Sequence, residues 1–448
     1  RLWIDESYNP QNDNGGLVYK VKVNVYGQTS DTVAKVEDTY CKDNGFNTLS
    51  DCMLVMNNHE STVDTAKTNI KSKGTPDFSK TATTDEGIFM SEDDEGESYY
   101  YRGAVKNNYV SFAGLTWRII RRNGDGAIRM IYAGKSTSDT GEAITIGKSK
   151  FNEKYWDPAY VGYKYNEKFS LHENNGATEY NWFTNTQKYN FGTGYTFDES
   201  TKKFTLTGII KQLTWKDNSD EIVAGKLYSC LNTNCNVIYK VTGYQNDTTM
   251  TIQPISYSSD SYADAVTNTT NSTMKNTLDT WYKNNLTSYA SYLADETFCS
   301  DRKINFGNGY LTTPPTTYGA YGRLYEKRTP NLKCAQDNDK FKVSNASAKL
   351  DYPISLITAD EVAMAGGVYN TENSSYYLYN GQYFWTLSPS LFVSDYSLAE
   401  VWSISPLGNL ISWSGVYFSF GIRPVINLKS DVKISSGDGT SIAPYIIK

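Results

Sequence analysis

Residues 115–132 read LTWRIIRRNGDGAIRMIY, and this stretch decides the fold class of the chain. Two apolar runs, at residues 109–120 and 127–132, flank the turn sequence Asn123-Gly124-Asp125-Gly126. Asn, Asp and Gly accept a positive φ at low cost, so this pattern predicts a β-hairpin. We therefore expect the core of a domain to start with this hairpin.

The C-terminal part of the chain shows the same β texture. Short apolar segments at residues 383–387, 400–404, 409–413 and 422–428 alternate with loops of Ser, Pro, Gly and Asp. Aromatic residues make up 14% of the 448 residues, with 37 Tyr, and aromatic residues favour strands. The expected fold class is α+β and rich in β structure.

Two amphipathic helices are predicted in the same half. Met274, Leu278 and Trp281 recur at three- and four-residue intervals, which places them on one face of a helix. Thr358 can cap a second helix, with Glu361 three residues later as its capping-box partner. We interpret both helices as structural.

The length of the chain predicts two or three domains, because a single core rarely exceeds roughly 250 to 300 residues. Residues 1–95 are expected to form an N-terminal attachment or stalk unit with a linker, which opens with an alternating strand at residues 18–26. Residues 96–163 and 268–448 are expected to form one domain, interrupted by an inserted β domain at residues 164–267.

The six cysteines form three pairs that are close in sequence, which predicts disulfides and an oxidising compartment. No cysteine has a CxxC partner, and His59 and His172 lie outside any ligand spacing, so no metal site is expected. The predicted structural disulfides are Cys41–Cys52, Cys230–Cys235 and Cys299–Cys334.

The net charge of -6 is spread over both signs, so the sequence has no basic stripe for nucleic acid, and no cofactor is expected. The acidic tract at residues 91–97 is interpreted as a solvated loop. No histidine stands beside a nucleophile, and the carboxylates of Asp360 and Glu361 fit the first turn of a helix. No catalytic residue is predicted.

Five motifs follow one another over residues 99–163 and 268–448: GLTWRII at 114–120, LDTWY at 278–282, YPISLITADEV at 352–362, FWTLSP at 384–389 and GIRPV at 421–425. In this order they resemble an uncharacterised domain family of secreted and surface proteins of gut anaerobes. The pattern of that family is similar to the C-type-lectin-like fold of formylglycine-generating enzymes. The resemblance implies a lectin-like domain that closes with a Gly-x-Arg-Pro strand.

That ending is similar to the end of the variable region in ligand-display proteins diversified by retroelements, and it implies a display surface at residues 388–420. Tyr and Trp give a large contact area at low entropic cost, and Ser and Asn adapt their hydrogen bonds. Trp385 and Trp402 are expected in the core. The expected ligand-binding residues are Ser394, Asp395, Tyr396, Asn409, Ser412, Trp413, Tyr417 and Phe418.

The leading hypothesis is an extracellular adhesin or receptor-binding protein, secreted or on a bacterial surface, whose partner is a protein or glycan on another cell surface. Neither Glu-Pro-Asn nor Gln-Pro-Asp occurs, so calcium-free binding is expected, with a protein partner ranked ahead. Because the sequence begins with Arg1, a signal peptide or membrane anchor is expected upstream.

Two other hypotheses belong to different classes of function. The chain could be the self-assembling subunit of a pilus-like filament or surface layer, joined through the strand at residues 18–26. A polysaccharide-acting enzyme ranks third, and would need a carboxylate pair in an aromatic-lined cleft.

Overall fold

The computed structural model describes residues 39–155, 157–166, 261–310, 314–393 and 398–448, together with the backbone of six short strands between residues 172 and 256. The chain divides into two compact units, Arg1–Val36 and Glu37–Lys448, and all described residues belong to the second. The strand predicted at residues 18–26 lies outside the described residues.

Most of the described helices are short. A π-helical segment, Gly322–Lys327, directly follows the helix Gly319–Tyr321. Five 3₁₀ segments cover Gly141–Ile144, Pro158–Val161, Thr287–Tyr292, Asp337–Asp339 and Ala346–Ala348. In chain order the α-helices are α1 (Tyr40–Asp43), α2 (Leu49–Met56), α3 (Val63–Ser72), α4 (Tyr262–Ala265), α5 (Thr273–Asn285), α6 (Gly319–Tyr321) and α7 (Ala359–Ala365).

Strands dominate the fold. Up to residue 165 they are β1 (Asp85–Asp93), β2 (Gly96–Gly103), β3 (Tyr109–Phe112), β4 (Leu115–Arg122), β5 (Ile128–Tyr132), β6 (Lys148–Ser149) and β7 (Lys164–Tyr165). Within the insertion they are β8 (His172–Glu173), β9 (Gly194–Asp198), β10 (Lys203–Thr207), β11 (Leu227–Ser229), β12 (Ile238–Asn246) and β13 (Thr249–Ser256).

The remaining strands complete the C-terminal part. They are β14 (Thr270–Asn271), β15 (Phe298–Cys299), β16 (Ile304–Phe306), β17 (Thr316–Tyr318), β18 (Lys340–Phe341), β19 (Phe384–Val393), β20 (Leu398–Ile404), β21 (Leu410–Gly415), β22 (Phe420–Gly421), β23 (Val425–Leu428), β24 (Ile434–Ser436) and β25 (Tyr445–Ile447).

Two large sheets form the frame of the molecule. The first has eight strands along the path β1-β2-β4-β3-β25-β24, and β5 pairs with both β4 and β23. The second has seven strands along the path β16-β17-β19-β20-β21, with β22 joining β19 to β6. None of the described sheets closes into a barrel. The fold is therefore mixed α+β and β-rich, as the sequence predicts.

Strands β8 to β13 form a separate six-stranded sheet and pair only with one another in the part of the chain that the structure describes. The alternating residues 203–207 supply β10, which lies between β9 and β13. This sheet lies within residues 164–267, the range predicted for an inserted β domain.

The predicted local elements occur where the sequence places them. The Asn-Gly-Asp-Gly turn joins β4 to β5. Helix α5 begins after Ser272, whose side chain accepts a hydrogen bond from the amide of Lys275. Helix α7 carries the capping box: the Thr358 hydroxyl accepts from the Glu361 amide, and a Glu361 carboxylate oxygen accepts from the Thr358 amide. Gly366, with φ of 118°, ends that helix.

The structure corrects the domain boundary placed near residue 95. That residue lies in the turn of the β1–β2 hairpin, and the acidic tract around it pairs as strands. Met53 of α2 and Ile70 of α3 are buried in the same core cluster as the residues of β4. Residues 39–95 therefore share one core with residues 96–163.

Tryptophans anchor both sheets. Trp117 of β4 packs edge to face against Tyr132, with ring centroids 5.8 Å apart, and against Trp281 of α5 at 6.3 Å. Trp385 and Trp402 are fully buried, as predicted. Edge-to-face pairs of this kind add to the free energy gained by burial of the rings.

The Gly-x-Arg-Pro segment holds the two sheets together. Arg423 is buried and donates to the backbone carbonyls of Tyr132 and Leu378, at 3.1 and 2.7 Å. The following strand β23 pairs with β5 through Val425 and Ile131. The motif thus links β22 of one sheet to β23 of the other.

Two of the three predicted disulfides are present. Cys41–Cys52 joins α1 to α2, and Cys299–Cys334 closes a segment of 35 residues that includes α6. Cys230 and Cys235 lie outside the described residues. The two bonds suggest an oxidising, extracellular environment.

A buried carboxylate ties the first sheet to α7. Glu361 Oε1 lies 2.6 Å from Arg129 Nε and 3.0 Å from Arg121 Nε, and Arg121 also pairs with Asp93 at 2.6 Å. Burial opposes ionisation of Glu361, but Arg129 and Arg121 together lower its pKa. Burial in turn lowers the pKa of Arg129 to about 10. Because these groups are buried, each charge is stabilised by its ion-pair and hydrogen-bond partners within the protein.

Glu361→Gln should lower the free energy of unfolding by about 3–5 kcal/mol, because it leaves two buried guanidinium groups without their shared carboxylate. Urea unfolding followed by tryptophan fluorescence measures the loss. Glu142→Gln, which removes an exposed pair with Lys148, is the control and should change stability by less than about 1 kcal/mol. Equal losses in the two variants would contradict a structural role for the buried network.

Candidate functional site

The eight residues predicted to bind a ligand separate into three groups. Ser394, Asp395 and Tyr396 lie outside the described residues. Asn409 and Ser412 are buried. Trp413, Tyr417 and Phe418 are exposed, with 57%, 37% and 38% of their surface accessible.

The two buried polar residues cannot meet a ligand where they stand, which corrects their predicted placement on the surface. The Asn409 side-chain oxygen accepts a hydrogen bond from the Ser405 hydroxyl, within the turn that joins β20 to β21. Ser412 points inward from β21, whose burial pattern leaves only Trp413 exposed. The alternation along a strand decides this: Trp413 faces solvent, so its neighbour Ser412 does not.

Tyr417 and Phe418 belong to a longer row of aromatic rings, here called the aromatic ridge. Tyr383 stacks on Phe420 with centroids 4.7 Å apart, and Phe418 stacks on Phe420 at 5.7 Å. Tyr417 contacts Phe418 at 4.6 Å and Tyr155 at 5.1 Å. The row thus runs from Tyr383 through the three central rings to Tyr155.

Backbone pairing positions the ridge. Strand β22 lies between β19 and β6, with Gly421 opposite Phe384 and Phe420 opposite Ser149. The Phe418 amide donates to the Gly415 carbonyl at 2.9 Å, which turns the chain from β21 towards β22. A side chain on Gly415 would meet the Tyr417 ring at 2.8 Å, so any other residue at this position would displace that ring.

The ridge rests on buried aromatic residues. Phe420 packs on Trp385 at 4.7 Å, and Trp385 packs on Phe151 at 5.8 Å. The Trp385 indole donates to the Ser149 carbonyl at 2.8 Å, which fixes the orientation of that ring. The exposed rings are therefore held in place before any partner arrives.

Trp413 stands apart from this row. It lies on β21, the edge strand of the seven-stranded sheet, and among the described residues it stacks on no aromatic ring. Sequence reasoning grouped Trp413 with Tyr417 and Phe418, whereas the structure groups the latter two with Tyr155, Tyr383 and Phe420. The two-residue spacing of Phe418 and Phe420 could have indicated from the sequence that Phe420 belongs to this row. No sequence pattern near these residues indicated that Tyr155 does.

A buried carboxyl group, that of Glu400 on β20, lies near the ridge. Among the described residues its Oε2 atom has no hydrogen-bond partner. Burial raises its pKa to about 8. Burial raises the pKa of the Tyr417 hydroxyl group, and the nearby carboxyl group of Glu400 raises it further. A second buried carboxyl, Asp157, also has its pKa raised to about 8 by burial.

Within the described ranges, no group of three His, Cys, Asp or Glu residues is placed to hold a metal ion. No helix there is long and apolar enough to cross a membrane. The carboxylates of Asp360 and Glu361 are both held by arginines, since Arg323 contacts Asp360 at 2.7 and 2.8 Å.

Comparison with known proteins gave no relative of this chain: no protein family, curated protein or solved structure matches it.

The free energy of unfolding should fall as the pH rises from about 5 to about 8, because buried Glu400 and Asp157 keep protons that the unfolded chain has released. Glu400→Gln should make the chain more stable than the parent at pH 8.5, by on the order of 2 kcal/mol, and should flatten this dependence. Urea unfolding at several pH values checks it, with Glu142→Gln as control. An unchanged slope in Glu400→Gln would refute this role of Glu400.

Proposed function

We propose that this chain is an extracellular bacterial surface protein that binds a protein on another cell through the aromatic ridge. The observation that carries the proposal is the row of five rings in which Tyr383, Tyr417 and Phe418 each leave more than a third of their surface exposed. An exposed aromatic row of this kind is typical of an interaction surface.

The ridge suits tight contact for a physical reason. Large aromatic side chains bury much area with few rotatable bonds, so little conformational entropy is lost on binding. Phe420 fixes Tyr383 and Phe418 against the buried Trp385, which lowers that cost further.

Stacking within the ridge favours a protein partner over a glycan. Tyr383 and Phe418 lie at 17° and 22° to Phe420, so these rings cover part of the faces against which a sugar would stack. A protein partner can use the edges of the rings and the hydroxyl groups of Tyr383 and Tyr417.

The two disulfides support an extracellular location. The lectin-like architecture is also part of the proposal. Strand β25 lies parallel to β3, near the start of the domain, and two helices, α5 and α7, accompany the sheets. The resemblance implies closure by the Gly-x-Arg-Pro strand, and the pairing of β23, which follows that segment, with β5 supports this part of the proposal.

Replacing Tyr383, Tyr417 and Phe418 together by Ala should abolish binding, because hot-spot aromatics each contribute about 2 kcal/mol or more. The labelled full chain is tested on arrays of bacterial and host surface proteins and of glycans, and the Kd for each hit is then compared with that of the triple variant. Ile442→Ala, at an exposed apolar residue between β24 and β25, is the matched control and should bind like the parent.

A protein hit that the triple variant loses while it unfolds at the parent's temperature supports the proposal. Hits confined to glycans would overturn the partner class. A parent chain that binds nothing and forms a concentration-dependent ladder in light scattering would favour the filament hypothesis instead. Trp413→Ala, measured beside them, tests whether the binding face extends to β21.

A further inference from the structure

A second feature lies away from the ridge and shares no residue with it. A cavity of about 40 Å³ lies between the β1–β2 turn, strands β4 and β5, the N-terminus of α7 and the disulfide-closed segment after Cys299. One water molecule requires roughly 10–15 Å³ of such cavity volume, so the cavity has room for a small polar head group.

The cavity has an excess of negative charge. Its walls carry seven carboxyl groups and four basic side chains. Arg323 is fully engaged, since it contacts both oxygens of Asp360 at 2.7 and 2.8 Å and one oxygen of Asp301 at 2.6 Å. Three acidic contacts on one guanidinium leave it little capacity to attract an anion.

The other basic groups are engaged as well. Arg121 is held by Asp93 and Glu361, and Arg129 shares Glu361 with it. Lys333 pairs with Glu92 at 2.7 Å on the surface. Of the remaining wall carboxylates, Asp94 and Glu95 lie 3.9 and 3.8 Å from Lys340 and Lys342. The negative charge that is left over is therefore centred on Glu296 and on Asp301, which shares Arg323 with Asp360, and it would stabilise a cation.

Two buried oxygen atoms in the walls lack hydrogen-bond donors. Asp301 is 3% exposed and Asn123 is 2% exposed, and among the described residues the Oδ1 atom of neither has a hydrogen-bond partner. Buried acceptors are nearly always satisfied in folded proteins. Asp301 also has a φ of 35°, in the left-handed region, and strain of this kind is concentrated at functional sites.

We propose that this cavity is a binding site for an organic cation that carries N–H donors, an ammonium or guanidinium head group. Both oxygen atoms are acceptors, so their missing partner is a donor. The Arg129 Nε atom in the same walls also makes no hydrogen bond within the described residues, but it lies 2.6 Å from the carboxylate of Glu361. A cationic head group would meet these acceptors and the acidic excess together. Among the described residues no three His, Cys, Asp or Glu side chains are placed to hold a metal ion, which disfavours a divalent cation.

Glu296 is the wall residue best suited to contact the ligand directly. It is almost buried, and the structure shows no basic side chain in an ion pair with it. Burial, with Asp125 and Glu95 nearby, raises its pKa to about 7, while Lys342 acts in the opposite direction. A bound cation would favour the ionised form, so affinity should increase between pH 6 and pH 8.

The test is calorimetric titration of the full chain with methylguanidinium, methylammonium and a blocked Gly-Arg-Gly peptide. Tetramethylammonium, a cation without N–H groups, is the ligand control. Glu296→Gln should weaken binding about tenfold or more, the usual effect of losing a hydrogen bond to a charged group. Asp301→Asn should do the same, and Glu142→Gln, which removes an exposed carboxylate elsewhere, should not.

Binding of the free cations alone would support a small-molecule ligand, and binding of the peptide alone would support a basic side chain as the source of the head group. No binding of any N–H cation overturns the proposal. So does equal binding of tetramethylammonium, or equal weakening by Glu142→Gln, because either would show attraction to net charge instead of a built site. Loss of ridge binding in the aromatic triple variant leaves this test unaffected.

Discussion

The carboxylate of Glu361 is the interaction on which the rest of the structure depends. One oxygen atom is shared by Arg121 and Arg129, on the two strands of the β4–β5 hairpin, and the other accepts from the amide of Thr358. A single side chain thus caps a helix and neutralises two buried cations. The positive end of the helix dipole and both guanidinium groups favour the charged form of the carboxylate.

The neighbouring residue extends this arrangement to the other side of the molecule. Asp360 holds Arg323, which in turn pairs with Asp301 in the disulfide-closed segment. The β4–β5 hairpin and the disulfide-closed segment therefore meet at the first turn of α7. Buried charges of this kind are costly unless all are paired, and this favours one relative position of the elements that carry them.

The two candidate surfaces follow from this frame but differ in chemistry. The aromatic ridge rests on Trp385 and on the pairing of β22 with β19 and β6, so its rings are preorganised for contact. The acidic cavity lies beside the ion pairs. Its arginines are paired with carboxylates, whereas two buried oxygen atoms in its walls lack hydrogen-bond donors among the described residues. The chain therefore combines a broad apolar contact surface with a narrow polar one.

Features that depend on neighbours along the chain can be predicted from the sequence. These are the Asn-Gly-Asp-Gly hairpin, the cap at Thr358 with Glu361, and the two described disulfides, since turn residues, capping pairs and closely spaced cysteines carry their own local signal. Only the tertiary structure decided which charges are buried and which rings align. In the sequence Asp93 is part of an acidic run that is interpreted as solvated, but in the structure it forms a buried ion pair with Arg121. Tyr155 joins the ridge through its contact with Tyr417, 262 positions later. The physical reason is that burial and ring contact are set by partners distant in sequence, and no local pattern records them.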